Sequence, residues 1–179
     1  MTVRPEGLVY EPNFLTEEEE RTLLAKIAAL DFDEIRMHGQ AARRTAKHYG
    51  IAYDCDNPAA PKPGEPLPEW LEPVRARVAE LAKVTPDDLV EALVQHYPPG
   101  APIGWHRDAP KFGLVGGVSL ASPARMRFQR GKGEAREVTE VLLEPGSAYV
   151  LAGKARWSWQ HSIPPVKEDR YSITFRTLR

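Results

Sequence analysis

Apolar side chains in the first half of the chain recur at helical spacing in two places. The first set lies three or four positions apart: Leu23, Leu24, Ile27 and Leu30. This spacing predicts a helix over residues 17–30, and Thr16 with Glu19 supplies a capping-box pattern at its start. A second helix is predicted over residues 69–83, where Pro73 falls in the first turn and is tolerated. A short strand at residues 8–10 precedes both helices.

The second half shows short alternating apolar runs, which are broken by proline and glycine. Eight runs predict strands at residues 89–97, 104–108, 116–120, 125–130, 138–143, 148–151, 157–161 and 171–176. Eight short strands after two helices predict an α+β fold, namely a double-stranded β-helix (jelly roll) with the N-terminal helices packed on one sheet. We expect a single domain, with a helical and substrate-lid part in residues 1–88 and a catalytic core in residues 89–179.

Composition limits the class of protein. The chain has 179 residues, 42% of them hydrophobic, which suits one folded domain. A formal net charge of −1 argues against a protein that coats nucleic acid indiscriminately. No run of about 18 apolar residues occurs, and the polar first residues lead us to expect no signal peptide. The single cysteine, Cys55, cannot form an internal disulfide. We expect a cytoplasmic protein without membrane contact or an obligate protein partner.

Three predicted strands carry polar side chains where a core face is expected. Gln95 and Tyr97 share one face of their strand, and His106 and Asp108 share one face of theirs. In the last strand a polar row alternates with an apolar one, and the polar row is Arg170, Ser172, Thr174 and Arg176. Taken alone, such a row can be the solvated face of an antiparallel sheet.

His161 changes this interpretation. It follows Trp157 and Trp159, which are predicted to share its face, so we expect that face to be enclosed. His106 and Asp108 on one strand, with His161 on a distant one, form the ligand set of a facial triad for Fe(II). Such a triad leaves three coordination positions, which can hold a bidentate co-substrate and O2.

The arginines suggest the nature of that co-substrate. A 2-oxo acid that chelates iron keeps a far carboxylate, which must be neutralised in a buried place. An arginine fork binds a carboxylate through two hydrogen bonds. Arg170 follows His161 by nine residues, and Tyr97 can donate a phenolic hydrogen bond to the same carboxylate.

At these motifs the sequence resembles the AlkB-like Fe(II)/2-oxoglutarate-dependent dioxygenases. Residues 95–100 resemble the family's Asn-x-Tyr-x-x-Gly element, with Gln95 in place of Asn. Residues 170–176 resemble its closing Arg-x-Asn-x-Thr-x-Arg motif, with Ser172 in place of Asn. The family's iron triad is matched by His106, Asp108 and His161.

The resemblance implies a ligand set and a reaction. Tyr97 and Arg170 are expected to hold the far carboxylate of 2-oxoglutarate, Arg176 to lie near its C1 end, and Gln95 and Ser172 to contact the same co-substrate. The implied cofactors are Fe(II), 2-oxoglutarate and O2. The reaction would convert 2-oxoglutarate to succinate and CO2 and hydroxylate a substrate C–H bond, which releases formaldehyde when the carbon is an N-methyl group.

A basic stretch favours nucleic acid as the substrate. Residues 36–53 contain four basic residues and no acidic one, and residues 97–179 contain 13 basic and 7 acidic residues. Such residues can contact phosphates, and His48 or Tyr49 can stack on a flipped base. The candidate substrate residues are Arg43, Arg44, His48, Tyr49 and Arg127. A solvated basic loop is the alternative interpretation.

Three functions stay open. The first is oxidative demethylation of alkylated nucleobases in DNA or RNA, and the second is the same chemistry on a protein side chain or small molecule. The family's repair enzymes carry an acidic residue two places after the metal Asp, where this chain has Pro110. The stretches 43–50 and 154–161 resemble instead the animal tRNA-modifying AlkB homologue. The third function is a binding module without turnover, and the intact triad and Arg170 count against it.

Overall fold

Helices and strands of the computed structural model are described for residues 3–37, 39–52 and 62–179. Within these residues the helices are α1 (Glu17–Ala28), α2 (Glu72–Ala82) and the short α3 (Gly153–Trp157). The strands are β1 (Leu8–Glu11), β2 (Asp33–Met37), β3 (Gln40–Ala52), β4 (Lys62–Pro63), β5 (Leu89–Tyr97), β6 (Ile103–His106), β7 (Phe112–Leu120), β8 (Ala124–Arg130), β9 (Glu137–Leu143), β10 (Ser147–Leu151), β11 (Gln160–Ile163) and β12 (Arg170–Leu178). Residues 53–61, which include Cys55, lie outside the described residues.

The strands form two antiparallel sheets. The large sheet has the order β1-β10-β7-β12-β5-β3-β2, and β4 pairs with β3. The small sheet has the order β6-β11-β8-β9. Side chains from both sheets meet in one apolar cluster, in which Tyr97 and Leu151 of the large sheet lie with Phe128 and Ile163 of the small one. The predicted α+β jelly roll is therefore confirmed.

The two longer helices pack on the outer face of the large sheet, as predicted. Leu23 and Ile27 of α1 and Val78 of α2 join a second cluster with Ile173 and Phe175 of β12. These two β12 residues form the apolar row that alternates with the polar row, so the helices cover one face of the strand and the polar row faces the small sheet. Among the described residues, no helix has the length and apolar character needed to cross a membrane.

Local sequence signals explain where the helices begin. The Thr16 side chain accepts a hydrogen bond from the Glu19 backbone, and the Glu19 side chain accepts one from the Thr16 backbone at 3.0 Å. Pro73 lies in the first turn of α2, where a backbone N–H would have no acceptor within the helix, so the missing N–H of proline costs no hydrogen bond. Glu19 also reaches α2, since its carboxylate lies 2.5 Å from Nη1 of Arg77.

The predicted strand at residues 157–161 is wrong. Trp157 ends α3, and β11 begins only at Gln160. Trp157 is 39% exposed and Trp159 is 2% exposed, so the two indoles do not share a face. The cause is Arg156, which donates hydrogen bonds to the carbonyls of residues 109, 112 and 113, far away along the chain, and so anchors a helical turn.

The end of β6 and the structure of the basic stretch also differ from the prediction. β6 ends at His106, so Asp108 lies in the connection after the strand and not on the strand itself. The basic stretch 36–53 forms much of the β2–β3 hairpin, which extends the large sheet past β5. Its alternating short and long side chains give no strong strand signal, and pairing with β5 determines its structure.

Candidate active site

Three side chains meet where the small sheet faces the large one. His106 ends β6, and His161 lies opposite it in the β6–β11 register. Oδ1 of Asp108 lies 3.6 Å from Nε2 of His106 and 3.4 Å from Nε2 of His161. The possible ligand atoms of the three residues all lie within 4.8 Å of one another, which is close enough for one shared ion.

The protonation states suit a metal. Nδ1 of His106 lies 2.8 Å from the carbonyl oxygen of Gly104. Since a carbonyl only accepts, Nδ1 carries a proton in this contact, and Nε2 is the nitrogen that faces Asp108 and can bind a metal. Burial lowers the pKa of His161 to about 3, so this imidazole is neutral. Two imidazoles and one carboxylate are a donor set for Fe(II).

Asp108 is held from its other oxygen by a buried ion pair. Oδ2 lies 2.6 Å from Nε of Arg176. Burial alone raises the pKa of Asp108, but the adjacent guanidinium of Arg176 is the main opposing influence, and the pKa is held well below its usual value. Asp108 is therefore a permanent carboxylate, with Oδ1 directed toward the histidines and Oδ2 toward the arginine.

Arg176 binds a second carboxylate, which the sequence prediction missed. Its Nη1 lies 3.0 and 2.9 Å from the two oxygens of Glu91, a residue of β5 that is 2% exposed. Burial lowers the pKa of Arg176, but Asp108 and Glu91 outweigh it and raise the pKa above its ordinary value. A usable signal did exist, because Glu91 shares the face of Gln95 and Tyr97 and is the one charged residue within its strand.

The polar row of β12 is buried and not solvated. Arg170, Ser172 and Thr174 are each less than 5% exposed, and they face the small sheet. In the register of the large sheet Tyr97 lies opposite Arg170, and Gln95 lies opposite Ser172. The structure thus brings together the residues predicted to contact 2-oxoglutarate, and their individual contacts with it stay a prediction.

Arg170 is the side chain that most directly indicates a missing anion. It is 1% exposed, and its Nε donates to Oγ of Ser119 at 3.0 Å. Its guanidinium lies 4.9 Å from the centre of the Tyr97 ring, and its Nη1 has no hydrogen-bond partner among the described residues. A buried donor of this kind needs a partner, and a carboxylate matches the guanidinium fork. The pocket therefore fits the far carboxylate of 2-oxoglutarate.

Tyr149 is a second residue that sequence reasoning missed. It lies on β10, opposite Gly117 of β7, and its ring occupies the space where Gly117 has no side chain. Burial raises the pKa of Tyr149 to about 12, and its phenol lies close enough to Arg170 and Asp108 to feel both charges. Its sequence context is an ordinary apolar strand, so only the pairing with a glycine reveals it.

The candidate substrate residues of β3 divide between the two faces of the large sheet. Arg44 and His48 lie on the face of Gln95 and Glu91, because Ala46, between them, pairs with Gln95. Tyr49 lies on the opposite face, in the apolar cluster beneath the helices. The structure therefore brings His48 toward the site and keeps Tyr49 away from it.

Most charges of the basic stretch have partners within the protein. Arg36 pairs with Glu34, and Lys47 pairs with Glu65 at 2.8 Å. Arg44 is buried and donates to the Gln95 side chain at 3.1 Å. Arg43 is exposed and donates to the carbonyls of residues 99 and 100, which are uncharged acceptors, so its positive charge is not neutralised by these bonds.

Arg127 lies outside the group of site residues. It lies between Met126 and Phe128 of β8, whose side chains point into the core, so it lies on the outer face of the small sheet. There it stacks 5.0 Å from the Trp105 ring centre and donates to Ser162 at 3.3 Å. Arg125 shares that outer face and pairs with Glu140.

Fold and site together define a 2OG-Fe(II) oxygenase. The model of the 2OG-Fe(II) oxygenase superfamily matches residues 7–176, so the chain belongs to this superfamily. Within it the chain is AlkB-like, and the triad of His106, Asp108 and His161 is its iron site. The predicted family, enzyme class and cofactors are therefore confirmed.

Three curated relatives show the degree of similarity. The "tRNA (carboxymethyluridine(34)-5-O)-methyltransferase alkbh8" of Xenopus tropicalis is 32% identical over 95% of this chain and 27% of its own length. The "Alkylated DNA repair protein ALKBH8 homolog" of Arabidopsis thaliana is 28% identical over 92% of this chain and 52% of its own length. The "Alpha-ketoglutarate-dependent dioxygenase AlkB" of Salmonella typhimurium is 32% identical over 74% of this chain and 65% of its own length. The chain thus spans about a quarter of the length of the Xenopus relative and about half of the length of the Arabidopsis relative.

Two solved structures share the fold. The structure of OsALKBH1 superposes with a TM-score of 0.71 at 15% identity and covers 99% of this chain and 100% of its own. A prolyl-4-hydroxylase of Pseudomonas putida superposes with a TM-score of 0.66 at 17% identity and covers 97% of this chain and 93% of its own. At these identities the likeness concerns the jelly roll alone.

Proposed function

We propose that the protein oxidatively removes alkyl groups from nucleobases in DNA or RNA. The observation that carries this proposal is the position of β3. This strand, from the most basic stretch of the sequence, continues the site-bearing sheet next to β5 and presents Arg44 and His48 on the face of the site. The names of two relatives, which refer to tRNA and to alkylated DNA, support the same substrate class.

The residues of the chain have separable tasks in this reaction. Fe(II), 2-oxoglutarate and O2, when held at the triad and Arg170, supply the oxidation of a substrate C–H bond. Arg170 and Tyr97 orient the co-substrate, and Arg176 keeps Asp108 ionised and aimed at the metal. Apolar neighbours such as Phe128, whose ring centre lies 6.3 Å from that of His161, exclude water from the oxidising centre.

β3 offers contacts for a polynucleotide beside this centre. His48 is exposed on the site face, where its imidazole can stack on an unpaired base. Arg43 is exposed on the other face of β3, and the carbonyls that it binds do not neutralise its charge, so it can contact a phosphate farther along the polynucleotide. We expect Arg43 to contribute affinity without base preference, whereas His48 contributes to base recognition.

The test is mass spectrometry of methylated oligonucleotides. Fe(II), 2-oxoglutarate and O2 are supplied, and the substrates are N-methylated single-stranded DNA, duplex DNA and tRNA. We expect loss of methyl mass and release of formaldehyde from at least one substrate, and no loss with a His106→Ala control. Unchanged methyl mass in all three, from a protein that consumes 2-oxoglutarate, would overturn the proposal.

A second candidate is the same oxidation on a protein side chain. It is favoured by Pro110, which follows Asp108 by two positions, and by the carboxylate partners of Arg36 and Lys47, which reduce the charge available to phosphates. A peptide library screened for an added oxygen mass distinguishes the two candidates. Oxidised peptides together with unchanged oligonucleotides would select this one.

A further inference from the structure

Glu91 is a buried carboxylate for which the reaction described above has no direct use. It is 2% exposed, and both of its oxygens bind Nη1 of Arg176. It lies on β5 opposite Arg176 of β12 in the register of the large sheet. Burying a carboxylate is unfavourable unless it is paired, so its presence here requires an explanation in terms of Arg176.

Arg176 has three nitrogens, and each has a different environment. Nε donates to Oδ2 of Asp108, and Nη1 binds Glu91. Nη2 makes no hydrogen bond to a described residue. With Nη1 held by Glu91, the guanidinium meets Asp108 through its Nε side, where it binds Oδ2, and Oδ1 is directed toward the two histidines.

The charge balance leads to the same conclusion. Asp108, Arg176 and Glu91 carry two negative charges and one positive charge. Without the Glu91 charge, Arg176 would neutralise Asp108 alone and reduce its attraction for a divalent cation. Groups that orient a metal ligand in this way affect metal affinity although they never touch the metal.

We propose that Glu91 is a positioning residue for the metal site, acting through Arg176 on Asp108. It fixes the plane of the guanidinium and shares its charge, so that Asp108 presents a fully charged Oδ1 to Fe(II). The inference concerns the metal site alone and does not depend on which substrate the enzyme oxidises.

The decisive variant is Glu91→Gln, which keeps the volume and removes the charge. The amide keeps one oxygen that accepts from Arg176, but it replaces the second acceptor by an NH2 group that repels the N–H groups of the guanidinium. We expect Fe(II) binding to the metal-free protein, titrated without oxygen, to weaken about 10- to 100-fold. With 2-oxoglutarate present, the charge-transfer absorption band of the complex should shift or weaken at equal Fe(II) occupancy.

Two further variants make the test specific. Glu140→Gln removes the carboxylate that pairs with the exposed Arg125 on the outer face of the small sheet. We expect the Fe(II) affinity of this variant to match that of the wild type. Glu91→Asp keeps the charge with a shorter reach, and we expect it to recover most of the affinity lost in Glu91→Gln. Near-ultraviolet circular dichroism establishes that each protein is folded.

The outcomes decide between positioning and packing. A folded Glu91→Gln protein with Fe(II) affinity within twofold of the wild type and an unchanged absorption band overturns the inference. Equal losses in Glu91→Asp and Glu91→Gln also overturn it, because charge would then have no part in the effect. If neither Glu91 variant folds, Glu91 is a structural residue and the inference is wrong.

Discussion

Replacing Arg170 by methionine should abolish tight binding of 2-oxoglutarate. The same substitution should stabilise the folded protein when no 2-oxoglutarate is bound. Arg170 is buried, its Nη1 has no partner among the described residues, and its Nε binds Ser119. Methionine has a similar length and no charge, so it can fill the same space. The two effects have opposite signs because the arginine serves the ligand and not the fold.

The magnitudes follow from the contacts. Removing one partner of a buried, hydrogen-bonded charge pair costs about 2–5 kcal/mol, which corresponds to a rise of about 30-fold to a few thousand-fold in the 2-oxoglutarate requirement. An unsatisfied buried donor costs about 1–3 kcal/mol. Ser119 loses its donor, but Ser147 lies opposite it on β10, its hydroxyl makes no hydrogen bond within the described part of the chain, and the two can pair. We expect a net gain of about 1–2 kcal/mol, a rise of about 2–8 °C in melting temperature for a chain of this length.

The assay compares two buried arginines. Arg156 is 3% exposed, like Arg170, but it donates to three backbone carbonyls. Arg156→Met should therefore lower the free energy of unfolding by about 3 kcal/mol, since it leaves those carbonyls unpaired. Thermal melts without co-substrate measure stability, and 2-oxoglutarate titration at saturating Fe(II) measures affinity.

Either of two results for Arg170→Met would contradict these expectations. An Arg170→Met protein with the 2-oxoglutarate affinity of the wild type would show that the unpartnered guanidinium does not bind the far carboxylate. A melting temperature several degrees lower, matching that of Arg156→Met, would show that Arg170 stabilises the fold and that its unpartnered nitrogen carries no penalty.

Three further predictions concern the metal, the tyrosine and the glycine beside it. His106→Ala should abolish turnover and remove the rise in melting temperature that Fe(II) gives the wild type, because binding to the folded state alone is stabilising; an active variant would contradict the triad. The pKa of Tyr149 is raised to about 12 from 10, so its contribution to stability is complete below pH 10 and is lost as pH rises from 10 to 12. Tyr149→Phe should remove about 2–3 kcal/mol of that alkaline loss, measured by denaturant unfolding at pH 9 and pH 12, and equal losses in both proteins would count against it. A methyl group at Gly117 would overlap the Tyr149 ring, so Gly117→Ala should cost about 1–3 kcal/mol in a thermal melt, whereas Gly104→Ala, where nothing lies within 4 Å, should cost less.

Local signals in the sequence predicted much of the fold. The strand 89–97 has the bounds predicted for it, and the capping box at Thr16 marks the start of α1. Hydrophobic period, caps and proline positions depend on neighbours only a few residues away, so they can be recognised without tertiary contacts. The metal ligands could also be named, because His-x-Asp and a distant His are a chemically restricted set.

Pairing between distant strands produced the rest of the site. Glu91 acquires its role only because β5 lies beside β12, and Tyr149 enters the site only because β10 places it opposite a glycine. In the same way, alternation shows that His48 and Tyr49 lie on opposite faces of β3, but the order of the strands determines which face belongs to the site.

The tryptophans before His161 show where the sequence was misleading. Trp157 and Trp159 have strand spacing, yet Arg156 binds carbonyls more than forty residues earlier and forms a helical turn at this point. The sequence by itself predicted the two-sheet fold and the iron ligands, and it singled out Arg170 as the candidate for the co-substrate, because these follow from local pattern and restricted chemistry. The tertiary structure alone decided how the charges are paired, because ion pairs such as Glu91–Arg176–Asp108 join residues that only the sheet order brings together.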